Sequence, residues 1–511
     1  MASTQLRLVQ ENGADLGSRP IAEILRGKTI LVTGATGFLA KVFLEKILSQ
    51  VPNIARIYIL IRSVDEAHSI ERLENDIFAS AIFSQLKEQG SAQFLRFCRE
   101  KIRLVQGDTS LPRLGLHATQ YLELCGQVDL VVHAAASTDF MQRLDEAVPG
   151  NALSAFYLTD FIKLSKRARL LHISTCYVNE STLGIVREES IGQPQGTERM
   201  VPLKQDGSFD LERAFQDLSQ IVESVEQKFS RDSKKLSQQM IKAGYETAQA
   251  YGWNNIYTFM KWLGEKILLQ ETSPIHCTIL RPSIIESCLT SPTPGWIEGF
   301  KVADPLFYAG GNDFIKFFPG REKTVFDLIP VDFVANAMML SLAELSQQVS
   351  PQTKVYQVCS GVENPIDLKE ITRIVRKGFG FGHIKRQFFI PHAVFQPMMW
   401  LSFLALKIAG PLFSASQKKN LRKLAAFATL YSPYTSLECT YDNSKLLDLA
   451  SRVSLEDRNR FPVSSRLIDW EYYLCRVHIP GLIRHIIQPQ AEAQMARLSE
   501  KLHNRKTGDT R

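Results

Sequence analysis

Residues 28–48, KTILVTGATGFLAKVFLEKIL, decide the fold. Thr29 to Thr33 is a short apolar, partly β-branched run, which predicts a buried strand; from Phe38 onward the apolar residues take helical spacing. Between them Gly34 to Gly37 offers the small residues of a tight turn. A strand, a glycine turn and a helix in that order suit a dinucleotide, because the backbone can approach a pyrophosphate and the first helical N–H groups can hold it. Two glycines in a turn are common and say little alone. The preceding strand makes Gly34, Thr36, Gly37, Phe38 and Leu39 candidates for cofactor contact.

Outward from this unit, further short apolar runs occur at RIYILIR (56–62), KIRLVQGD (101–108), VDLVVHAAAS (128–137), ARLLHIST (168–175) and HCTILRPSII (276–285). Helix-length segments separate most of them, which predicts an α/β fold with a parallel, doubly wound sheet. Where a carboxylate would hold the ribose of NAD at the end of the second strand, the chain has Arg62, which fits a 2′-phosphate and hence NADPH. A solvated charge at a strand end is the plain alternative. Asp108 is placed to accept from an adenine amino group, and Ala134, Ala135 and Ala136 leave room for an apposed cofactor. Thr109 and Pro282, beside these motifs, complete the cofactor set, while His133 reads as structural.

For chemistry, Tyr257 and Lys261 lie four residues apart in NNIYTFMKWLGEKIL, so a helix presents both on one face. A nearby ammonium is expected to lower the phenol's pKa, and the phenol can then act as general acid toward a carbonyl while the lysine also binds the nicotinamide ribose. The spacing is cheap evidence: Tyr441 and Lys445 repeat it in TYDNSKLL, a stretch that reads as a turn or cap. Position after HISTCY distinguishes Tyr257, because Ser174 or Thr175 could hydrogen-bond the same carbonyl, with Thr175 preferred. Cys176 offers a rival chemistry through an acyl-enzyme.

The chain has 511 residues, 45% hydrophobic and 22% charged, with a formal charge of +7. This composition predicts a globular protein of two or three domains, and the mild positive charge suits a polyanionic substrate without implying nucleic acid. Eight cysteines without a C-x-x-C pair, and no histidine cluster at ligand spacing, argue against a metal and for reduced thiols. The first residues lack the order of a secretory signal, so a cytoplasmic location is expected.

The organisation reads as a loose N-terminal arm (1–26), a reductase unit (27–355) with a helical insertion (195–250), a mainly helical C-terminal domain (356–490) and a basic polar tail (491–511). In the insertion, Leu211, Phe215, Leu218, Val222, Val225 and Phe229 form one helical stripe, read either as packing or as a lid over an acyl chain. The apolar stretch 393–413 is broken by Lys407 and two prolines; followed by Lys418, Lys419, Arg422 and Lys423, it could rest on an anionic membrane face without spanning it.

Taken together, GATGFLAK, VVHAAAS, HISTCYVN, YTFMK, LRPSII and TPGWIEGF resemble the extended short-chain dehydrogenase/reductase superfamily and, within it, the alcohol-forming fatty acyl-CoA reductases. The resemblance runs from about Gly27 to about His485. It implies a Rossmann-like fold, NADPH, a long-chain acyl-CoA substrate and reduction to a primary alcohol through an aldehyde. It also implies Thr175, Tyr257 and Lys261 as catalytic residues, with Gly34, Gly37, Arg62 and Asp108 at the cofactor. Two positions depart from the pattern: Ala40 stands where glycine is usual, and Asp139 places an acid near the substrate mouth, leaving acyl carrier protein or a fatty aldehyde open as substrates. A two-electron reductase, a nucleotide-sugar epimerase or dehydratase, and a nucleotide-binding scaffold are the competing functions. Peripheral membrane contact and a homo-oligomer are further expectations.

Overall fold

The computed structural model of the chain describes residues 16–17, 19–88, 90–180, 182–189, 191, 192, 194, 201–270, 275–300, 303–311, 317–380, 388–391, 394, 395, 397, 398, 401, 432–490 and 492. The basic cluster at 418–423, most of the apolar stretch 393–413, nearly all of the tail, and residues 195–200 of the insertion lie outside them.

The six predicted runs, joined by a seventh strand that the sequence reading did not mark, form one parallel sheet: β1 (Thr29–Thr33), β2 (Arg56–Ile61), β3 (Ile102–Gln106), β4 (Leu130–His133), β5 (Arg169–Ile173), β6 (Cys277–Pro282) and the unpredicted β7 (Thr353–Val358). Their order in space is β7-β6-β5-β4-β1-β2-β3. Every pairing is parallel, with Thr33 of β1 beside both Leu60 of β2 and His133 of β4. From β1 the chain runs outward to β3 and then returns to β4 on the other side. The crevice at the carboxyl ends of β1 and β4 is therefore a topological switch point, where open α/β sheets bind ligands.

The central strands are buried on both faces, as continuous apolar runs require, and helices cover them, whereas the edge strand β3 exposes Arg103 and Gln106. Those that matter for the site are α1 (Phe38–Gln50), α2 (Ser154–Ser165), α3 (Leu211–Phe229), α4 (Ser233–Tyr251), α5 (Ile256–Leu269) and α6 (Val331–Gln347). Helix α5 is buried almost throughout because it lies inside the molecule, and the fully buried ion pair between Arg281 of β6 and Glu265 fixes it to the sheet. Removing either partner would leave an unpaired buried charge.

One expectation changes here. The described residues of the N-terminal arm are not loose: Leu16, Ile21 and Leu25 are fully buried, and the Ile21 N–H donates to Asp457 Oδ2 at 3.0 Å. The α3 stripe follows the packing reading rather than the lid. Leu218 belongs to a core cluster with Phe259 and Trp262 of α5, Leu211 and Phe215 pack against it, and none of the stripe lines the cavities described below.

Beyond β7, which spans the boundary expected at 355, the described residues are mainly helical. They are nonetheless tied to the sheet unit. Cys439–Tyr441 pairs in parallel with Gly184–Val186, and Tyr434, Tyr441 and Tyr473 share the main core with β1 and α6. Tyr441 ends that strand and Lys445 lies in the next helix, Ser444–Ser451, so the second Y-x-x-x-K match is structural, as expected.

Candidate active site

At the switch point the turn after β1 is held by close backbone contact. Gly34 has φ +72°, and a Cβ there would sit 2.5 Å from Ala135 N and 2.6 Å from Ala134 C. Only glycine tolerates both the left-handed backbone and that approach. Gly37 caps α1 without a side-chain acceptor, which leaves the first helical N–H groups for a ligand. A cavity of about 660 Å³ opens from this turn, lined by Thr36, Arg62, Asp108, Thr109 and the alanines 134–136, among others. Its shape and glycine cradle fit a dinucleotide.

Arg62 is largely exposed, with Nη1 4.0 Å from Asp108 Oδ2. The other Asp108 oxygen is taken by Ser110, from N at 2.9 Å and Oγ at 2.7 Å. A second arginine, Arg72, lines the same cavity and donates to the Arg62 carbonyl at 2.7 Å. Sequence reading missed it, although a basic residue one short helix beyond Arg62 was the available signal. Asn151 was missed too; its side chain holds the Ser137 backbone through bonds of 2.8 and 2.9 Å.

A second cavity, of about 420 Å³, shares Gly34, Gly37, Ala134 and Ala136 with the first. Phe38, Leu39, Ser174, Thr175, Tyr257, Lys261 and Pro282 line it, so every residue that the sequence reading assigned to catalysis or to the cofactor lines one cavity or the other, whereas Cys176, His133 and Asp139 line neither. Asn255 Oδ1 accepts from Thr258 N at 3.0 Å and starts α5, which sets Tyr257 in its first turn and Lys261 one turn on. Lys261 is buried and its Nζ donates to the Ile173 carbonyl at 2.7 Å. Burial lowers its pKa to about 8.

Burial also raises the Tyr257 phenol, and it is the factor that acts there. The expected lowering by the lysine does not appear: desolvation of the phenolate is the one cause acting on Tyr257, and the Lys261 ammonium is engaged by the Ile173 carbonyl. Tyr257 therefore stays a protonated donor, stacked against Phe140 at 6.0 Å.

The two hydroxyls after β5 differ. Thr175 Oγ1 accepts from Tyr177 N at 3.3 Å and donates to the Pro282 carbonyl at 3.4 Å. Ser174 Oγ is buried on the cavity wall with no hydrogen-bond partner among the described residues. Cys176 is removed from the chemistry: its Sγ is fully buried against the Arg281 carbonyl at 3.0 Å, and burial raises its pKa. His133 is structural, between Thr33 Oγ1 at 2.8 Å and Ser154 Oγ at 3.3 Å, with its pKa lowered by burial to about 3. Ala40 lines the second cavity. Asp139 is exposed, with Oδ1 accepting from the Met141 N–H.

Part of the remaining wall is aromatic, from Phe140, Tyr177, Phe300 and Tyr434. Tyr434, from the C-terminal region, meets Phe140 at 5.6 Å and Tyr177 at 5.1 Å, and its hydroxyl accepts from Asn255 Nδ2. No local pattern marks Tyr434; only the tertiary fold brings it to the site.

Known proteins match this arrangement along nearly the whole chain. A family model described as "Male sterility protein" matches residues 32–338, and a second of the same description matches 397–489. An alcohol-forming fatty acyl-CoA reductase of Simmondsia chinensis is 31% identical over 93% of this chain and 99% of its own. The chain belongs to the fatty acyl-CoA reductase family. Fatty acyl-CoA reductase 8 of Arabidopsis thaliana, at 32% identity over 91% of this chain and 98% of its own, is a further relative. Among solved structures, the terminal R domain of the myxalamid PKS-NRPS pathway shares the fold, with a TM-score of 0.57 at 20% identity, covering 90% of this chain and 91% of that one. As a fatty acyl-CoA reductase the chain is an NADPH-dependent enzyme. Among the described residues no helix is long and apolar enough to cross a membrane.

Proposed function

We propose that this enzyme reduces long-chain acyl-CoA to the primary alcohol in two steps at one site, with Tyr257 as general acid. The observation that carries the reading is the meeting of a partly buried Tyr257, a buried Lys261 and the Ser174/Thr175 pair in a mainly apolar cavity continuous with the dinucleotide cleft. Gly34, Gly37, the alanines 134–136, Asp108 and Thr109 would hold the cofactor, with Arg62 and Arg72 beside the position of a 2′-phosphate. NADPH supplies the hydride in each step.

The chain's own groups do the rest. Tyr257 Oη donates to the thioester oxygen and neutralises it as the carbonyl carbon becomes tetrahedral. The thiohemiacetal then collapses: its hydroxyl returns a proton to the Tyr257 phenolate, its C–S bond breaks to leave the aldehyde, and the departing CoA thiolate takes a proton from solvent. Tyr257 protonates the second oxyanion to give the alcohol. Lys261, held by the Ile173 carbonyl, keeps a positive charge near that oxygen, and Ser174 is the free hydroxyl to orient it. Phe140, Tyr177 and Tyr434 keep water from the reacting carbon.

We place the reductase unit from 27 to the end of β7 at 358, in place of the expected 355, and the C-terminal unit at 359–490, with Tyr434 contributed by the latter. Acyl carrier protein and free fatty aldehyde remain alternative substrates, and peripheral membrane contact through the segment around 393–423 rests on its sequence. A homo-oligomer and a cytoplasmic location are part of the same proposal. Incubation with NADPH and palmitoyl-CoA tests the reading through its products. Hexadecanol supports it; accumulating hexadecanal points to the two-electron reductase, and no turnover removes the acyl substrate.

A further inference from the structure

At the opposite end of the sheet from the active site lies a cavity of about 330 Å³. Its lining comes from the amino-terminal ends of β1, β4, β5 and β6: Lys28, Asp129, Lys166, Arg167, Arg169 and His276 are the groups that matter. Four permanent cations thus face one carboxylate. These residues lie far apart in sequence, and the parallel sheet brings them together by aligning its strand starts. Strands of this length rise roughly 15 Å, so the cavity cannot share a small ligand with the catalytic centre at their carboxyl ends.

The groups are held in place. Asp129 Oδ2 accepts from Thr29 N at 2.9 Å, while Oδ1 accepts from the Arg167 guanidinium. Arg169 donates to the Leu345 carbonyl near the carboxyl end of α6, and burial lowers its pKa. Lys166 sits at the end of α2 with φ +58°, a left-handed backbone more usual for glycine. Neither Lys28 nor Lys166 has a carboxylate within ion-pair distance among the described residues. With one carboxylate spent on Arg167 and the backbone, the cavity keeps a residual positive charge.

We propose that this cavity is a second anion site that takes a phosphate or diphosphate group, separate from the dinucleotide cleft. Guanidinium forks and flexible ammonium groups together match the several oxygens of such a ligand. The volume accommodates a diphosphate and is small for a whole dinucleotide. His276, whose pKa burial lowers, offers a neutral ring beside the cations. The group could belong to a soluble phosphate ester or to an anionic lipid headgroup.

The test uses the full chain with NADP+ saturating, so that the Gly34 turn is filled. Inorganic pyrophosphate is titrated calorimetrically at fixed ionic strength against the wild type and the Lys28→Gln/Lys166→Gly double variant, in which glycine suits the left-handed backbone. In parallel, phosphatidylcholine vesicles with and without phosphatidic acid are pelleted with each protein. Pyrophosphate binding weakened at least about tenfold in the variant assigns a soluble ligand, since each hydrogen bond to a charged group contributes on the order of 1.5–3 kcal/mol. Pelleting with phosphatidic acid that the variant loses assigns a headgroup. Absence of both, or binding that the substitutions leave unchanged, overturns the proposal. An unaltered NADPH Kd in the variant establishes that its fold and cleft are intact.

Discussion

Alanine at Gly34 should damage the protein far more than alanine at Gly37, although both belong to the same turn. At Gly34 an added Cβ meets main-chain atoms at 2.5 and 2.6 Å, in backbone that cannot swing aside as a side chain would. The residue must also keep φ +72°, which costs an L side chain about 1–2 kcal/mol. Relieving the overlap by moving β4 away from β1 costs roughly another 1–3 kcal/mol. Gly34→Ala is thus expected to lose about 2–5 kcal/mol of unfolding free energy. At Gly37 the backbone is ordinary, and the nearest atom is Gly34 O at 3.1 Å. Gly37→Ala should lose less than about 1 kcal/mol of stability, while crowding the cavity and weakening NADPH. Equilibrium unfolding in urea measures the first quantity, and NADPH fluorescence titration the second. Equal destabilisation by the two substitutions, or a stable Gly34→Ala with wild-type NADPH affinity, would refute the reasoning.

Arg62→Ala and Arg72→Ala should each raise the NADPH Kd by about tenfold or more and change NADH little, the size expected for a charge-assisted bond to phosphate; parallel losses for both cofactors would remove the 2′-phosphate assignment. Burial lowers the Lys261 pKa, so between about 8 and its ordinary value near 10.5 the unfolded chain binds a proton that the native chain has released. Stability of the cofactor-free enzyme, measured relative to Lys261→Met, should therefore rise with pH across that window, and a fall would contradict the burial. Ser174→Ala should lower kcat with little change in Tm, whereas Thr175→Ala should also lower Tm, because Thr175 alone of the two holds bonds to Tyr177 and Pro282; the reverse pattern in Tm would reassign the hydroxyls.

The sheet and its cofactor turn were legible because their signals are local. Continuous apolar runs mark the strands, and Gly34 lies where a left-handed turn and close approach are both needed. Tyr257 and Lys261 were legible by spacing only once HISTCY placed them beside the sheet. The upward shift of the Tyr257 phenol was not, because it comes from burial by residues remote in sequence and not from the lysine one turn away. Nor was the burial of Leu16 and Ile21, since the Ile21 N–H is held by Asp457 far down the chain. The α3 stripe has the same spacing whether it covers a core or a ligand, and only its neighbours decide between them. Tyr434 shows the limit most plainly: a residue of the C-terminal region closes the reacting cavity, and nothing in its neighbouring sequence says so.

The central claim, two successive reductions at one Tyr257-dependent site, is tested most directly by stoichiometry. Purified enzyme is given palmitoyl-CoA and excess NADPH, and NADPH oxidised, CoA thiol released and lipid products are followed together. Two NADPH per CoA, hexadecanol as the product, and loss of both steps together in Tyr257→Phe are expected. One NADPH per CoA with hexadecanal accumulating, or a Tyr257→Phe variant that retains either step at the wild-type rate, would contradict it.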